Sequence, residues 1–504
     1  MIPRGSLLAT FLPYALLLTA IALFCAGTVL LTIEPDEAWS VVSAARAMGS
    51  PRALPYGVDH PVVTSGGVYA VLQGLLFRFD QGVLPHRIVS IGFAVALIAV
   101  VYRLMSRYSK DRTVIALGLC FFIAAPGWYL VAPLALAEII ASTLLLLSFV
   151  YWTRQGGLSF SSALIAGMLF GVACATRMTC LGALPAIFIW SVLFREDWRT
   201  RYLYSSLAIA MAVLVFAGLT ALYSQLFAVG NVDAFFLYLK QSAGLDPNQK
   251  LERRINFLLS ANAYLPILGI IAITSWYATR FRAHRNSEAY RLGALLVLAG
   301  TLLLIAWLLR APIAHVRYLW PAIPLLWIAV ILAGVTHLNS SALRVVPGFV
   351  HAIVLAACFI QILLTLRALA VSESITLEYE YTGRTPLSTF SQPFAARGHQ
   401  ADISRLVSLL DANSKVYSIQ PLAAIPVSFE AQRRILSIHH ATSFSSRDHV
   451  LLLPSDLDLF KPSWSTIAWI ENNTTLVQAY GDYSLRSVNK DSPGLDSAKQ
   501  KAGQ

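Results

Sequence analysis

Eleven mostly apolar stretches recur along this chain of 504 residues, and they limit what it can fold into more than any motif does. They run over 12–33, 87–104, 113–131, 134–152, 162–176, 181–194, 203–227, 263–277, 292–309, 318–337 and 346–369. About 20 apolar residues carry a helix across the hydrocarbon of a bilayer. Backbone amides in lipid must be paired inside their own element, so stretches of this kind imply helices. Charged residues make up 13% of the chain, where a soluble protein has about 25%. The expected fold class is an α-helical polytopic membrane protein with about 11 transmembrane helices. The shorter, glycine-interrupted segment 68–79 is expected to form a re-entrant or interfacial helix within a large first loop, 34–86.

The first stretch is longer than the apolar region of a signal peptide, and no small-residue cleavage pattern closes it, so it reads as a retained anchor. A cytoplasmic N-terminus and an odd number of spans then put the C-terminal segment outside. Basic residues agree with this orientation. Arg103, Arg107, Lys110 and Arg112, then Arg195, Arg199 and Arg201, then Arg280, Arg282, Arg285 and Arg291 all fall in short loops that the count makes cytoplasmic. Lys240, Lys250, Arg253 and Arg254 lie on the other side, in longer loops where the rule counts for less. The location expected is a bacterial inner membrane, crossed many times, with the active site and the C-terminal domain on the periplasmic face.

The net charge of +12 belongs to the part before residue 370, which has 26 basic and 13 acidic residues against 12 and 13 in the remainder. That favours the lipid bilayer and lipid phosphates as partners, and not nucleic acid. Cys25, Cys120, Cys174, Cys180 and Cys358 lie in or beside apolar stretches, so neither a disulfide framework nor a zinc site is indicated.

The character of the chain changes near Ala370. The division expected is a membrane domain over 1–370, a small α/β domain over 371–490 and a disordered polar tail over 491–504. Within the second domain, after the polar loops of 376–400, the pattern predicts a helix over 402–410. It also predicts strands over 415–419, 434–438, 449–453, 466–470, 474–479 and 483–488. There is no internal sequence repeat, which counts against inverted-repeat transporter folds.

Chemistry-bearing residues gather at the ends of apolar stretches that the count places outside. Glu34-Pro35-Asp36-Glu37 follows the first stretch directly. Pro35 suits the first turn of a helix, and Ala38, Val41, Val42, Ala45 and Met48 recur at helical spacing, so an amphipathic helix is expected along the interface. Acidic residues in a first helical turn also have a plain structural use, because the unpaired amides there favour them. Glu138 opens an otherwise apolar run, where a carboxylate costs a few kcal/mol unless paired or hydrated. It is either a functional group or a protonated acid bonding a neighbouring helix. Arg177 and Arg317 end or precede spans, where snorkelling is the competing use of an arginine. His60, in His60-Pro61, and His315 stand alone in sequence, and each taken singly reads as a satisfied structural histidine.

Taken together, these residues resemble the integral-membrane glycosyltransferases of the GT-C superfamily, in the branch of the protein O-mannosyltransferases and the lipid A aminoarabinose transferases. The resemblance rests on Glu34-Pro35-Asp36-Glu37-Ala38-Trp39, Gly49, His60-Pro61, Glu138 and Arg177. It also rests on His315-Val316-Arg317-Tyr318-Leu319-Trp320-Pro321 with Pro324. It implies transfer of a hexosyl or pentosyl group from a polyprenyl-phosphate donor to a glycan, lipid or protein acceptor, by inverting displacement. On that resemblance Asp36 is the base on the acceptor hydroxyl, Glu37 shares or backs that role, and Glu34 caps the interfacial helix. Arg317 is the first candidate for the donor phosphate and Arg177 the second, with His60, His315 and Tyr318 beside them. Guanidinium forks match phosphate oxygens and stay charged. Glu138 either joins Asp36 in holding a divalent metal ion or orients the acceptor without one. Glu138 departs from relatives that carry Asp there, and it lacks a second acid beside it.

Two other function classes remain open to the sequence. A multi-span transporter or flippase would place charges near the bilayer midplane, whereas here they concentrate at one face. A non-catalytic envelope polysaccharide assembly protein would have long outer loops without the acidic cluster.

Overall fold

The structure is a computed structural model. It describes residues 7–30, 37, 41, 67–79, 82–124, 128, 132–153, 159–195, 197–226, 261–284, 286–310, 320–338, 353–360, 362–363, 366, 399–411, 413–419, 425–433, 435–438, 441, 443–452, 464–480, 483–490 and 492. The helices before residue 370 are α1 (Leu7–Leu30), α2 (Gly67–Phe79), α3 (Leu84–Tyr108), α4 (Arg112–Ile123), α5 (Ala137–Trp152), α6 (Phe160–Thr176), α7 (Leu184–Phe194), α8 (Ser205–Leu226), α9 (Ala261–His284), α10 (Glu288–Arg310) and α11 (Ala322–Leu338). Residues 353–360 are helical as well. A 3₁₀ turn, Met178–Ala183, leads into α7, and a π turn, Arg199–Tyr204, leads into α8.

Among the described residues, four helical segments are long and apolar enough to cross a membrane: Phe11–Val29, Leu84–Tyr108, Tyr202–Tyr223 and Glu288–Trp307. Shorter apolar helices pack among them. Leu18, Val29 and Leu214 are each about two-thirds exposed, which would be costly in water and costs nothing against lipid tails.

Two stretches depart from the predicted limits. Within the stretch 113–131 the described residues form the 12-residue α4, and Trp128 is helical again beyond Pro126, which lacks an N–H and disfavours helix at the residue before it. The N–H of the capping residue Ala124 closes α4 on the carbonyls of Cys120 and Phe122. The helix of the stretch 134–152, α5, begins at Ala137, three residues later than predicted, after Leu136 in extended conformation. Glu138 therefore occupies a first turn. The segment 68–79 is helical, as α2.

Alternating helix directions collect the basic ends together. The Arg107 guanidinium meets the Glu288 carboxylate at 2.5 Å, joining the end of α3 to the start of α10. The Trp190 indole N–H donates to the Arg291 carbonyl at 2.8 Å, joining the end of α7 to the same place. Phe194 packs on Phe281 at the end of α9, and Tyr14 near the start of α1 donates to the Arg112 carbonyl. The starts of α5 and α11 and the ends of α1 and α6 consequently lie at the opposite end.

By its internal contacts the chain separates into two units. One comprises Met1–Val29, Thr64–Leu72 and Leu84–Arg367; the other comprises Leu30–Val63, Gln73–Val83 and Ala368–Gln504. The C-terminal part of the second unit contains α12 (His399–Ser408), β1 (Val416–Ser418), α13 (Ile425–Glu430), β2 (Leu436–Ser437), β3 (His449–Leu452), α14 (Trp464–Asn473), β4 (Thr474–Tyr480) and β5 (Tyr483–Val488). The strand order is β2-β1-β3-β5-β4. The first three strands are mutually parallel and the last two antiparallel.

Side chains alternate between the faces of this sheet, as the pleat requires. Val416, Leu451 and Leu485 pack with Ile403 and Leu406 of α12 and Val427 of α13 on one face. Tyr417, Val450 and Val488 pack with Trp469 and Ile470 of α14 on the other. The strand predicted over 466–470 is a correction, since it lies inside α14. Thr466, Trp469 and Ile470 are the buried positions there, a spacing of three and four that belongs to a helix. Five residues containing the β-branched pair Thr466-Ile467 fit a strand as readily as a helix by local preference.

Candidate functional site

The site is built where helices end. α5 starts without a side-chain cap, so its first amides are left to a negative charge, and Glu138 stands in that first turn. α6 stops at Arg177, an extended residue whose N–H donates to the Ala173 carbonyl at 2.8 Å. A cation is favoured there by the carbonyl end of the helix. The Arg177 Nη2 lies 2.9 Å from the Glu138 Oε1, and the two side chains are 8% and 2% exposed. Each helix end thus favours the charge it carries, and the two charges neutralise each other where both side chains are buried.

The surroundings hold this pair still. Ser142 donates its hydroxyl to the Glu138 carbonyl at 2.7 Å, and the Cys180 N–H donates to the Arg177 carbonyl at 3.0 Å. The hydroxyl of Tyr69, on α2, donates to the Ala135 carbonyl just before α5. Its ring packs on Ala137 and Ile140, with Val89 and Phe93 of α3 alongside. An aromatic group lies at the same end: Phe24 stacks on Trp128 at 5.9 Å, and Trp320 meets Trp128 edge-on at 5.5 Å. The Trp128 indole N–H donates to the Phe122 carbonyl at 2.8 Å.

Of the residues singled out from sequence, Glu138 and Arg177 are brought into direct contact. Glu37 and Val41 are helical and fully buried, while Ala38, Val42, Ala45 and Met48, the other positions of the expected interfacial helix, lie outside the described residues. Glu34, Asp36, His60, His315, Arg317 and Tyr318 lie outside the described residues. Two further residues went unremarked in sequence: Tyr69, and Arg87, which is 1% exposed in the first turn of α3. The signal for Arg87 was a charge opening an apolar stretch at the end away from the basic loops.

A metal role for Glu138 fits these surroundings poorly. Its described partner is a cation, and a guanidinium at 2.9 Å opposes a second positive charge on the same carboxylate. Among the described residues, no group of three His, Cys, Asp or Glu could hold a metal ion.

No protein-family model matches the chain, and no curated protein matches it in sequence. Solved structures do match in fold. ArnT from Cupriavidus metallidurans bound to undecaprenyl phosphate superposes with a TM-score of 0.55 at 13% identity, covering 94% of this chain and 97% of that one. The same protein in the apo state gives a TM-score of 0.51 at 14% identity over the same shares. An oligosaccharyltransferase from Archaeoglobus fulgidus is more distant, with a TM-score of 0.44 at 12% identity, covering 85% of this chain and 65% of that one. The chain shares the fold of these ArnT structures along nearly its whole length, with a small C-terminal α/β domain.

Proposed function

We propose that this protein is a membrane glycosyltransferase that moves a sugar from a polyprenyl-phosphate donor to a glycan, lipid or protein acceptor on the periplasmic face of a bacterial inner membrane. The observation that carries this reading is the whole-length likeness in fold to an ArnT whose structure holds undecaprenyl phosphate. The Glu138–Arg177 pair supports it, because it places opposite charges at the membrane end away from the basic loops.

An inverting displacement at the anomeric carbon needs a carboxylate facing away from the leaving phosphate and positive charge where the phosphate develops its negative charge. Asp36 is assigned as the base on the acceptor hydroxyl, with Glu37 beside it in sequence. Arg317 is assigned to the leaving phosphate, with His60, His315 and Tyr318 in support. Arg177 already meets a carboxylate, so its part is to hold Glu138 and to lend positive charge nearby. Glu138 is assigned to acceptor orientation.

The test uses purified protein in detergent with a panel of polyprenyl-phosphate sugars and with glycan, lipid and peptide acceptors, following release of the lipid phosphate. Release with at least one donor is expected, and Asp36→Asn should lower its rate by roughly two to four orders of magnitude. No release from any donor, or full release from the Asn variant, overturns the reading. A transporter would instead move the intact lipid-linked sugar across a vesicle membrane without releasing phosphate.

A further inference from the structure

We propose that the turn between α7 and α8, with the arginines packed beside it, is a binding site for an anionic phospholipid headgroup at the basic end of the membrane unit. This connection is a π turn, Arg199–Tyr204, entered through Trp198. Trp198, Tyr202 and Leu203 are 62%, 51% and 52% exposed. In water such a ledge is unfavourable, whereas at a bilayer surface indole and phenol rings sit at the level of the headgroups. The ledge is tied to both helices that it joins. The Tyr202 ring lies 6.1 Å from that of Phe188 on α7, and the Ser205 hydroxyl, at the start of α8, donates to the Tyr202 carbonyl at 3.5 Å.

Three guanidinium groups stand beside these apolar side chains. Arg199, exposed, lies over the Trp198 ring at 5.8 Å. Arg195, which caps the end of α7, lies over the Trp190 ring at 5.3 Å. The Trp190 N–H donates to the Arg291 carbonyl at 2.8 Å, so Arg195 and Arg291 meet at one indole. Burial lowers the Arg195 pKa, and the Arg291 guanidinium lowers it further. Like charges held this near each other are relieved by an anion. Of the acidic groups here, Glu288 meets Arg107 at 2.5 Å, Asp197 is exposed in the turn itself, and Glu196 lies outside the described residues.

The chemistry of the two halves selects the ligand. Guanidinium forks match phosphate oxygens. A zwitterionic headgroup brings its own ammonium against them, and a free phosphate leaves Trp198 and Leu203 uncovered. A phospholipid with a net negative headgroup satisfies both, with its phosphate among the arginines and its glycerol and first methylenes along the ledge.

The test uses the full-length protein in an uncharged detergent, titrated with phosphatidylglycerol, phosphatidylcholine or sodium phosphate, and counts bound lipid by native mass spectrometry. Phosphatidylglycerol should bind at least about tenfold more tightly than phosphatidylcholine. Arg199→Gln should weaken phosphatidylglycerol about fivefold, the effect of one cation at a charged headgroup layer, and leave phosphatidylcholine unchanged. Arg199→Lys should lose less, and Trp198→Ala should weaken both lipids alike. Adding Arg195→Gln to Arg199→Gln should bring phosphatidylglycerol down to the level of phosphatidylcholine. If that double variant does not fold, the exposed Arg199 decides alone, through its Gln and Lys variants. Arg103→Gln, at an exposed position near the end of α3, should change neither lipid; an equal loss there would make the attraction one of overall charge and overturn the site. Equal affinity of the wild-type protein for the two lipids overturns the proposal as well. Displacement of phosphatidylglycerol by sodium phosphate at comparable concentration would make this a free-phosphate site and overturn the lipid assignment.

Discussion

The buried pair Glu138–Arg177 carries two possible burdens, stability and chemistry, and substitutions can separate them. Removing one partner leaves a buried charge without its counterion, which costs about 3–5 kcal/mol. Replacing both with apolar residues of similar volume is often neutral or better. Arg177→Met should therefore lower the stability of the membrane unit by about that amount, and Glu138→Leu combined with Arg177→Met should recover most of it. Denaturant unfolding in detergent measures the stabilities. If the pair only holds helices together, the double variant will also recover turnover; the assigned role of Glu138 requires that turnover stay lost.

A second residue, His449 at the start of β3, sits outside the membrane helices. Burial lowers its pKa below the ordinary histidine value, and the Arg433 guanidinium lowers it further, against the opposing pull of the Asp448 and Asp411 carboxylates. Its Nδ1 is buried without a described hydrogen-bond partner. An unfolded chain would take up the proton at about pH 6.5, while the folded chain resists it. Stability from this residue is thus present above about pH 6.5, declines as the pH falls toward the folded value, and is flat below that. Hydrogen exchange over 449–452 and 483–488, corrected for intrinsic rates, should show less protection at pH 5 than at pH 7. His449→Asn should remove most of that difference.

At the scale of elements, α6 and α8 approach each other closely at two glycines of α6. A Cβ at Gly167 would lie 2.5 Å from the Ala208 carbonyl oxygen and 2.9 Å from the Met211 Cβ; one at Gly171 would lie 2.6 Å from the Ala212 carbonyl oxygen and 2.7 Å from the Val215 Cβ. Four residues apart, these glycines form a small-residue stripe of the kind that lets membrane helices approach closely. Such contacts are made by backbone, which cannot yield as a flexible side chain does. Gly167→Ala and Gly171→Ala are each expected to cost about 1–3 kcal/mol. Gly218→Ala on α8, with open space around the added atom, should cost nothing or stabilise slightly. Thermal unfolding of the three variants in one detergent checks the contrast, and equal midpoints would mean that the two helices separate without penalty.

At the scale of the whole molecule, the helix ends sort by charge. Arg107, Arg195, Arg282 and Arg291 belong to the end marked by the Arg107–Glu288 and Trp190–Arg291 contacts. The Glu138–Arg177 pair belongs to the other. With the basic end on the cytoplasmic side, single cysteines at Ser40 and Ser446 in a cysteine-free variant should react with an impermeant thiol reagent in intact cells. One at Ser287, between α9 and α10, should not. Labelling at Ser287 alone would reverse the orientation and move the proposed chemistry to the cytoplasmic face.

The helical membrane fold was legible in sequence because lipid forces backbone pairing inside each segment, which favours helix along apolar stretches, while proline still set where α4 stops. The strands over 416–418, 449–452, 474–480 and 483–488 were legible as short runs containing β-branched or aromatic residues between polar turns, although 474–480 is mostly exposed and 416–418 is buried throughout. Helix α14 was not, since five residues containing a β-branched pair satisfy either period until the burial of Thr466, Trp469 and Ile470 is known. At the site, sequence marked Glu138 and Arg177 separately, as a costly carboxylate and a span-end arginine. Their meeting at 2.9 Å depends on α5 and α6 running side by side in opposite directions, and residues 39 positions apart carry no local mark of that. Arg87 shows the same limit more strongly. It is buried in the first turn of its own helix, and its donation to the Thr28 carbonyl joins residues 59 positions apart, which tertiary packing brings together.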